Sequence, residues 1–192
     1  MRNNKLLSMT IAALLCAIGI VIPIISPIKI TLEPASFTLA SHVAIFIAMF
    51  ISPMTALFVA AGTALGFLLA GFPIVVVMRA STHIIFALVG ALVLKKSPDI
   101  VRNAKKTAMF SLAISILHGL CEIMVVMPFY FGNNMSAGYY SKGFFTSVIL
   151  LVGVGTVVHS LIDYYLAHTI WKNVEVAVKV PHISFKKSEQ NI

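Results

Sequence analysis

Charged side chains are scarce in this sequence. Asp, Glu, Lys and Arg make up 10% of its 192 residues, whereas hydrophobic residues make up 59%. A typical soluble domain has roughly 25% charged residues. The composition excludes a disordered chain, a disulfide-built secreted module and an ordinary cytosolic enzyme. With a mean hydropathy of +1.00, the sequence predicts a membrane protein. The net charge of +8 does not indicate nucleic-acid binding, because the sequence offers no basic folded surface to carry it.

Motifs for several chemistries are also missing. The two cysteines, Cys16 and Cys121, lie in apolar runs without disulfide or metal-site spacing, and we expect them to be packing residues. The chain has no Gly-x-x-x-x-Gly-Lys-Ser/Thr loop for ATP, no His-Glu-x-x-His and no Gly-x-Ser-x-Gly. We therefore expect no cofactor and no enzymatic activity. If the protein moves a solute against a gradient, the energy must come from an ion or from a partner protein.

Six apolar runs approach the length of about 20 residues that crosses a bilayer as a helix. The basic start at 1–5 resembles a signal peptide, but no small-residue cleavage site follows, so we interpret the first run as a retained helix. The runs do not alternate, which argues against strands. We predict an all-α integral membrane protein with six transmembrane helices in a single domain, 1–192, with a tail at 172–192 and spans near 7–25, 39–52, 54–71, 74–94, 107–128 and 145–171.

Basic residues predict the orientation. In a six-span arrangement, 11 of the 14 Lys and Arg residues fall on one side, in the N-terminal tail, the loop between spans four and five, and the C-terminal tail. The opposite side has only Lys29 and Lys142, and Arg79 lies inside a span. Both termini are therefore expected in the cytoplasm, with Trp171 as an aromatic anchor at that interface.

Three spans each carry two polar ionisable residues spaced i,i+4, which places both on one helical face. A charge at the bilayer centre costs about 2.5–3.5 kcal/mol on insertion scales, so each needs a partner or a function. At about 1.5 Å per residue, the first two pairs lie at matching depths below the outer boundary, and the third lies about 20–27 Å down. The pairs are Arg79 with His83, His118 with Glu122, and His159 with Asp163.

These depths leave two interpretations open. Arg79 and Glu122 form a structural ion pair, or the first two pairs line an outward-opening small-molecule site in which Arg79 holds a carboxylate. A mixed role combines the two, with the pair opened by an anionic ligand. We expect the third pair to be an interhelical polar contact too deep for this cavity. We expect no metal site, because the depths bring only His83 and His118 together.

The outside loops supply further candidates. The segment 26–36 is stiffened by prolines and either caps the cavity, with Glu33 or His42 reaching in, or is a solvated hairpin. The other outside loop contains Asn133 and Tyr139, which are candidate ligand contacts, although tyrosines at this level also form interfacial belts.

Small residues predict close helix contacts. Gly62-x-x-x-Gly66 in the third span is expected to pack inside the bundle. Ala13-x-x-x-Ala17 in the first span suits an internal contact or a contact with another protein chain.

Taken together, these features resemble the substrate-binding subunits of energy-coupling factor (ECF) vitamin transporters. The runs Glu33–Val43, Phe46–Pro53 and Gly71–Ala80 are similar to the niacin-specific members, and the likeness covers roughly 7–171. Relatives in the family bind folate, pantothenate, biotin, thiamine or riboflavin.

The resemblance implies a mechanism. The subunit binds its vitamin from outside, docks through Ala13 and Ala17 on a membrane coupling subunit joined to two ATPases, and topples to deliver the vitamin inside. The expected partners are thus a small-molecule vitamin, these subunits and the bilayer of the cell membrane. Niacin agrees with the residues, since nicotinate offers one carboxylate to Arg79 and a ring nitrogen to His83, His118 or Glu122.

Two other classes remain. In an ion-coupled secondary transporter of a small organic anion, Glu122 or Asp163 would carry protons. In an intramembrane enzyme, His118 with Glu122, or His159 with Asp163, would act, but no nucleophile or metal constellation accompanies them.

Overall fold

Helices make up most of the protein. The structure, a computed structural model, describes residues 4–32 and 35–177. The helices are α1 Asn4–Ile25, α2 Val43–Ile51, α3 Pro53–Leu69, α4 Ile74–Lys96, α5 Ala104–Phe131, α6 Ala137–Ser141 and α7 Gly155–Val174. A π-helical segment, Phe145–Val154, runs directly into α7, and short 3₁₀ turns lie at Pro98–Arg102 and Glu175–Ala177.

Four helical segments are long and apolar enough to cross a membrane: Lys5–Ile25, Ile74–Lys96, Ala104–Phe131 and Phe145–Val174. The apolar helix α3 is shorter, at 17 residues. The helix α2 has nine residues and rises only about 14 Å, less than the roughly 30 Å of a hydrocarbon core. The all-α membrane class is therefore confirmed, while the predicted run 39–52 is helical only in its second part.

One region departs from the prediction that strands are absent. Strands β1 (Lys29–Leu32) and β2 (Ala35–Thr38) form a two-stranded antiparallel hairpin, with Lys29 opposite Thr38. This hairpin follows α1, and the turn Leu39–His42 then leads into α2.

The short helix α2 forms the centre of the bundle. Eight of its nine residues are buried, as expected for a helix that is apolar all round. Phe46 and Phe50 contact the ring of Tyr164 on α7, with centroids 5.4 and 5.9 Å apart. Trp171 packs 6.2 Å from Phe50 and is only 1% exposed, so the expectation of an interfacial anchor is wrong: this indole completes the core.

Glycines allow two close helix contacts. A Cβ on Gly62 would lie 2.5 Å from the Cys16 sulfur, so Gly62 in α3 packs inside the bundle as predicted, and its neighbour there is α1. A Cβ on Gly119 in α5 would lie 2.9 Å from the backbone oxygen of Gly153 and 3.0 Å from Val157. The contact at Gly119 sets the distance between α5 and the π-helical segment. It cannot relax easily, because the nearest atom belongs to the backbone and not to a flexible side chain.

We expect Gly119→Leu to destabilise the protein by about 1–3 kcal/mol, because the added side chain must push α5 away from this backbone. Thermal unfolding of the purified protein in detergent measures the effect. The neighbouring Leu120 is 53% exposed, and the control Leu120→Ala should change the midpoint much less. Equal midpoints for the two variants would contradict the tight contact.

Candidate small-molecule site

The Glu122 carboxylate on α5 joins three helical segments. Its Oε2 accepts hydrogen bonds from Arg79 Nε at 3.0 Å and Arg79 Nη2 at 2.6 Å, and from the Thr156 hydroxyl at 2.8 Å. The side chain of Glu122 is 4% exposed and that of Arg79 is 15% exposed. The predicted match in depth between Arg79 and Glu122 is therefore present, and each charge offsets the cost of burying the other.

Two histidines lie on the other side of the same carboxylate. Glu122 Oε1 is 3.4 Å from His118 Nε2 and 3.7 Å from His83 Nε2. Neither contact has hydrogen-bond geometry, so His118 Nε2 and both ring nitrogens of His83 are buried without a hydrogen-bond partner among the described residues. His118 Nδ1 lies 3.3 Å from the Ser160 hydroxyl. The first two predicted pairs thus meet as one group.

A second buried carboxylate, Asp163 on α7, holds the turn before α2. Its Oδ1 accepts the backbone N–H of Ala40 at 2.8 Å, and its Oδ2 accepts the backbone N–H of His42 at 2.9 Å. The His42 ring contributes another contact, with Nδ1 at 3.1 Å from Oδ2. In an apolar interior these N–H groups need an acceptor, and the turn is anchored by a residue 121 to 123 positions away.

His42 connects the two carboxylate groups. Its ring centroid lies 4.7 Å from that of His83, 4.9 Å from that of His118 and 5.0 Å from that of His159. His159 Nε2 in turn lies 3.0 Å from the Ser41 hydroxyl and 3.3 Å from Asp163 Oδ2. Four histidines, two carboxylates and one guanidinium therefore form a single polar cluster inside the bundle.

This corrects two sequence expectations. The third pair, His159 with Asp163, is not too deep, and His83 and His118 are not the only histidines that come together. The depth estimate assumed α-helical rise from residue 145, whereas the ten residues Phe145–Val154 are π-helical and advance less per residue. The helix α5 also extends to Phe131, three residues beyond the predicted end, which places Glu122 deeper.

A cavity of about 100 Å³ opens beside this cluster. Arg79, His83 and Glu122 contribute to its wall. His42 also lines it, as one of the alternatives for the first outside loop expected, and so does His159, which was expected to lie too deep. The hairpin, the last turns of α3 and the α3–α4 connection add the aromatic side chains of Phe37, Phe67 and Phe72 to the wall. The cavity thus has an apolar aromatic part and a polar part that contains one guanidinium.

The remaining candidate residues lie elsewhere. His118 is fully buried behind the wall. Glu33 falls outside the described residues. Asn133 is exposed in a turn after α5, with a positive φ of 54°, and Tyr139 on α6 packs with Val126, Val148 and Val152. Among the described residues, the cavity wall includes neither Asn133 nor Tyr139.

The two docking candidates lie on the outer surface of α1. Ala13 and Ala17 are both exposed, whereas Ala12, Leu15 and Gly19 on the same helix are buried. This favours the intermolecular alternative over an internal contact.

Comparison with known proteins gives one informative match. No family model and no solved structure matches the chain. The chain is 41% identical, over 167 residues, to a protein named niacin transporter NiaX from Lactococcus lactis subsp. cremoris (strain MG1363), and the match covers 86% of this chain and 73% of that protein.

Identity and coverage at this level show common family membership. The chain belongs to the family of that transporter, which confirms the resemblance to the niacin-specific substrate-binding subunits of ECF transporters. With its apolar helices it is a multi-pass protein of the cell membrane.

We expect Asp163→Ala to destabilise the protein by about 3–5 kcal/mol, because the buried backbone N–H groups of the turn lose their acceptor. Thermal unfolding in detergent measures the loss. The matched control is Asp99→Ala. Asp99 and its ion-pair partner Lys106 are both 55% exposed, and the hydrogen bond from Lys106 lowers the pKa of the Asp99 carboxyl. An unfolding midpoint for Asp163→Ala as close to wild type as that of Asp99→Ala would show that the turn does not depend on Asp163.

Proposed function

We propose that this protein is the nicotinate-binding subunit of an ECF importer. The chain crosses the membrane six times, with the turn Leu39–His42 and the short helix α2 together making the second crossing. Both termini lie in the cytoplasm, and the cavity opens outward. The position of the cavity supports this orientation. Its wall includes Pro23 at the end of α1, Phe37 of the hairpin and Phe72 of the α3–α4 connection, which belong to the end of the bundle with few basic residues. Lys95, Lys96 and Lys172 lie at the opposite end, as expected for a cytoplasmic face.

The observation that carries the ligand assignment is the Arg79 guanidinium in the cavity wall. Of its five N–H donors, two serve Glu122, and the other three have no partner among residues 4–32 and 35–177, so they remain for a carboxylate. Arginine binds a carboxylate through two parallel hydrogen bonds, and it can do so here while it keeps its buried partner. Arg79 thus suits both the structural and the ligand role that its position in the sequence allowed.

The rest of the cavity suits a flat aromatic acid. Phe37 and the stacked rings of Phe67 and Phe72, 4.7 Å apart, offer apolar faces to a pyridine ring. Beyond Arg79 the wall includes His42, His83 and His159, so the polar part of the cavity is lined by imidazole rings. A cavity of about 100 Å³ favours a single-ring ligand over a larger vitamin such as folate, since pockets for drug-sized molecules hold roughly 300–1,000 Å³.

The proposed transport cycle needs a partner. Among the described residues, no loop is long enough to form an ATPase domain, so a partner must supply ATP hydrolysis. The family relationship supports a membrane coupling subunit with two ATPases as that partner. The exposed face of α1 supports this too, because small residues such as Ala13 and Ala17 let another helix approach closely. The protein on its own would then bind nicotinate and not import it.

We expect Arg79→Gln to weaken nicotinate binding by at least about tenfold, since one good charge-assisted pair contributes about 1.5–3 kcal/mol. Isothermal titration calorimetry on the detergent-solubilised protein measures it. Because Arg79→Gln leaves the buried Glu122 carboxylate without its guanidinium partner, the double variant Arg79→Gln/Glu122→Gln removes both charges and avoids an unpaired buried charge. Arg102→Gln, outside the spans, should bind as wild type does. If the double variant binds nicotinate with wild-type affinity, Arg79 does not contact the ligand.

For the docking face, we expect Ala13→Trp and Ala17→Trp to leave nicotinate affinity unchanged and to reduce uptake in cells that contain the coupling module to near background. The indole blocks the approach of a partner helix. Val158→Trp, at another lipid-exposed position that is 52% exposed in wild type, should transport normally. Normal uptake by both alanine variants would rule out this face as the docking site.

A further inference from the structure

Beyond binding nicotinate, the structure assigns a metal site: we propose that His42, His83 and His118 bind one divalent transition-metal ion of the zinc type. Each of the three histidines offers a ring nitrogen, and these three nitrogens lie within 4.8 Å of one another. Neutral imidazole is a preferred ligand of zinc, copper and nickel.

The rings are arranged as three ligands around one point. Their centroids form a nearly equilateral triangle with sides of 4.7, 4.9 and 4.9 Å, and the ring planes cross at 80°, 77° and 89°. Rings that each place a nitrogen 2.0–2.1 Å from one zinc ion have centroids roughly 5 Å apart. Small rotations of the side chains would thus bring the three nitrogens onto a common ion.

The hydrogen bonds of the cluster leave the right nitrogens available. Asp163, as a carboxylate, can only accept, so His42 Nδ1 donates to it, and the lone pair of the neutral ring lies on Nε2. Ser160 likewise contacts His118 Nδ1, while His118 Nε2 is buried without a hydrogen-bond partner in the described part of the chain. A metal-binding histidine characteristically has its second nitrogen fixed by a carboxylate or similar group.

His83 gives the clearest indication of a missing ligand. It is 5% exposed, and neither ring nitrogen has a hydrogen-bond partner among residues 4–32 and 35–177. Leaving buried polar groups without hydrogen-bond partners destabilises the folded protein. A shared ion would satisfy His83 Nε2 or Nδ1 and His118 Nε2 together.

Charge also favours a cation. With neutral histidines, one guanidinium (Arg79) faces two carboxylates (Glu122 and Asp163), so the described cluster has a net charge of −1. An uncompensated charge in an apolar interior is costly. Glu122 Oε1, 3.4 Å from His118 Nε2 and 3.7 Å from His83 Nε2, stands beside the site as a fourth ligand or as an electrostatic partner.

The alternative triad in the cluster, His42, His159 and Asp163, is less suitable. There the nitrogen of His159 already meets the Ser41 hydroxyl, and both Asp163 oxygens accept backbone N–H groups. An ion there would have to displace the contacts that hold the turn. The triad of His42, His83 and His118 requires no such loss, and the cavity reaches it through the walls formed by His42 and His83.

The test is a Zn²⁺ titration by calorimetry. The full-length protein is purified through a histidine-free tag, stripped with a chelator and titrated without nicotinate. We expect one Zn²⁺ per chain, and an affinity at least about tenfold lower in His83→Ala and in His118→Ala. The control His168→Ala/His182→Ala removes the other two of the six histidines in the sequence and should bind as wild type does. Zinc binding that vanishes in this control, or that is absent from the wild type, overturns the proposal.

A second readout needs no variant of the cluster. Co²⁺ added to the stripped wild-type protein should produce the intense visible absorption of a four- or five-coordinate ion, and Zn²⁺ should remove it. A spectrum that stays that of the hydrated ion overturns the proposal as well. Nicotinate calorimetry on the stripped protein is independent of both results, so the metal site can fail while the proposed function stands.

Discussion

The Asp163 carboxylate is the contact on which the architecture of this protein depends. The chain enters the bundle as the turn Leu39–His42, where no helix satisfies the backbone, and an unsatisfied N–H at such depth costs several kcal/mol. Ala40 also adopts a positive φ of 68°, a conformation that an alanine avoids. Asp163 accepts the N–H groups of Ala40 and His42, and the donors in turn offset the cost of the buried charge. The central helix α2 begins where it does because α7 supplies this acceptor.

Hydrogen-bond donors offset the cost of a buried carboxylate at Glu122 as well, but there the donors are side chains. There a guanidinium and a hydroxyl from neighbouring helical segments satisfy one carboxylate oxygen. In lipid no hydrophobic force draws helices together, so polar contacts of this kind contribute to helix association. They also confine every ionisable group of the cluster to one level of the bundle, beside the cavity. The stability of the fold and the chemistry of the site therefore rest on the same side chains.

Much of this could be predicted from the sequence. Apolar length predicted the helical segments, and i,i+4 spacing with helical rise predicted that Arg79 would reach Glu122 and that His83 and His118 would join them. These predictions depend only on local spacing, because an α-helix has a constant rise and rotation per residue. The small residues likewise predicted that Gly62 would pack inside the bundle.

The rest depends on contacts that local patterns do not contain. The position of His42 is determined by Asp163, 121 residues away, and nothing in the sequence around His42 specifies that partner. The hairpin preceding it does alternate polar and apolar residues, from Lys29 to Leu32 and again from Ala35 to Thr38, so the sequence held a strand signal that the search for long apolar runs passed over. The depth of His159 was misjudged because a π-helical segment cannot be recognised from apolar length, although Gly153 and Gly155 near its end hint at unusually close packing.

That π-helical segment explains why α7 serves both carboxylates. Thr156, His159 and Asp163 are spaced three and four residues apart, so they lie on one face of α7. Thr156 donates to Glu122, His159 contacts Ser41, and Asp163 holds the turn. A wider helical turn before residue 155 changes both the rotation and the rise with which this face enters the bundle, and π-helical insertions of this kind are frequent at functional sites. Because Gly153 and Gly155 lie against Ile123 and Phe37 respectively, the segment can approach α5 and the hairpin closely enough for one face of α7 to reach α2, α5 and the cavity at once.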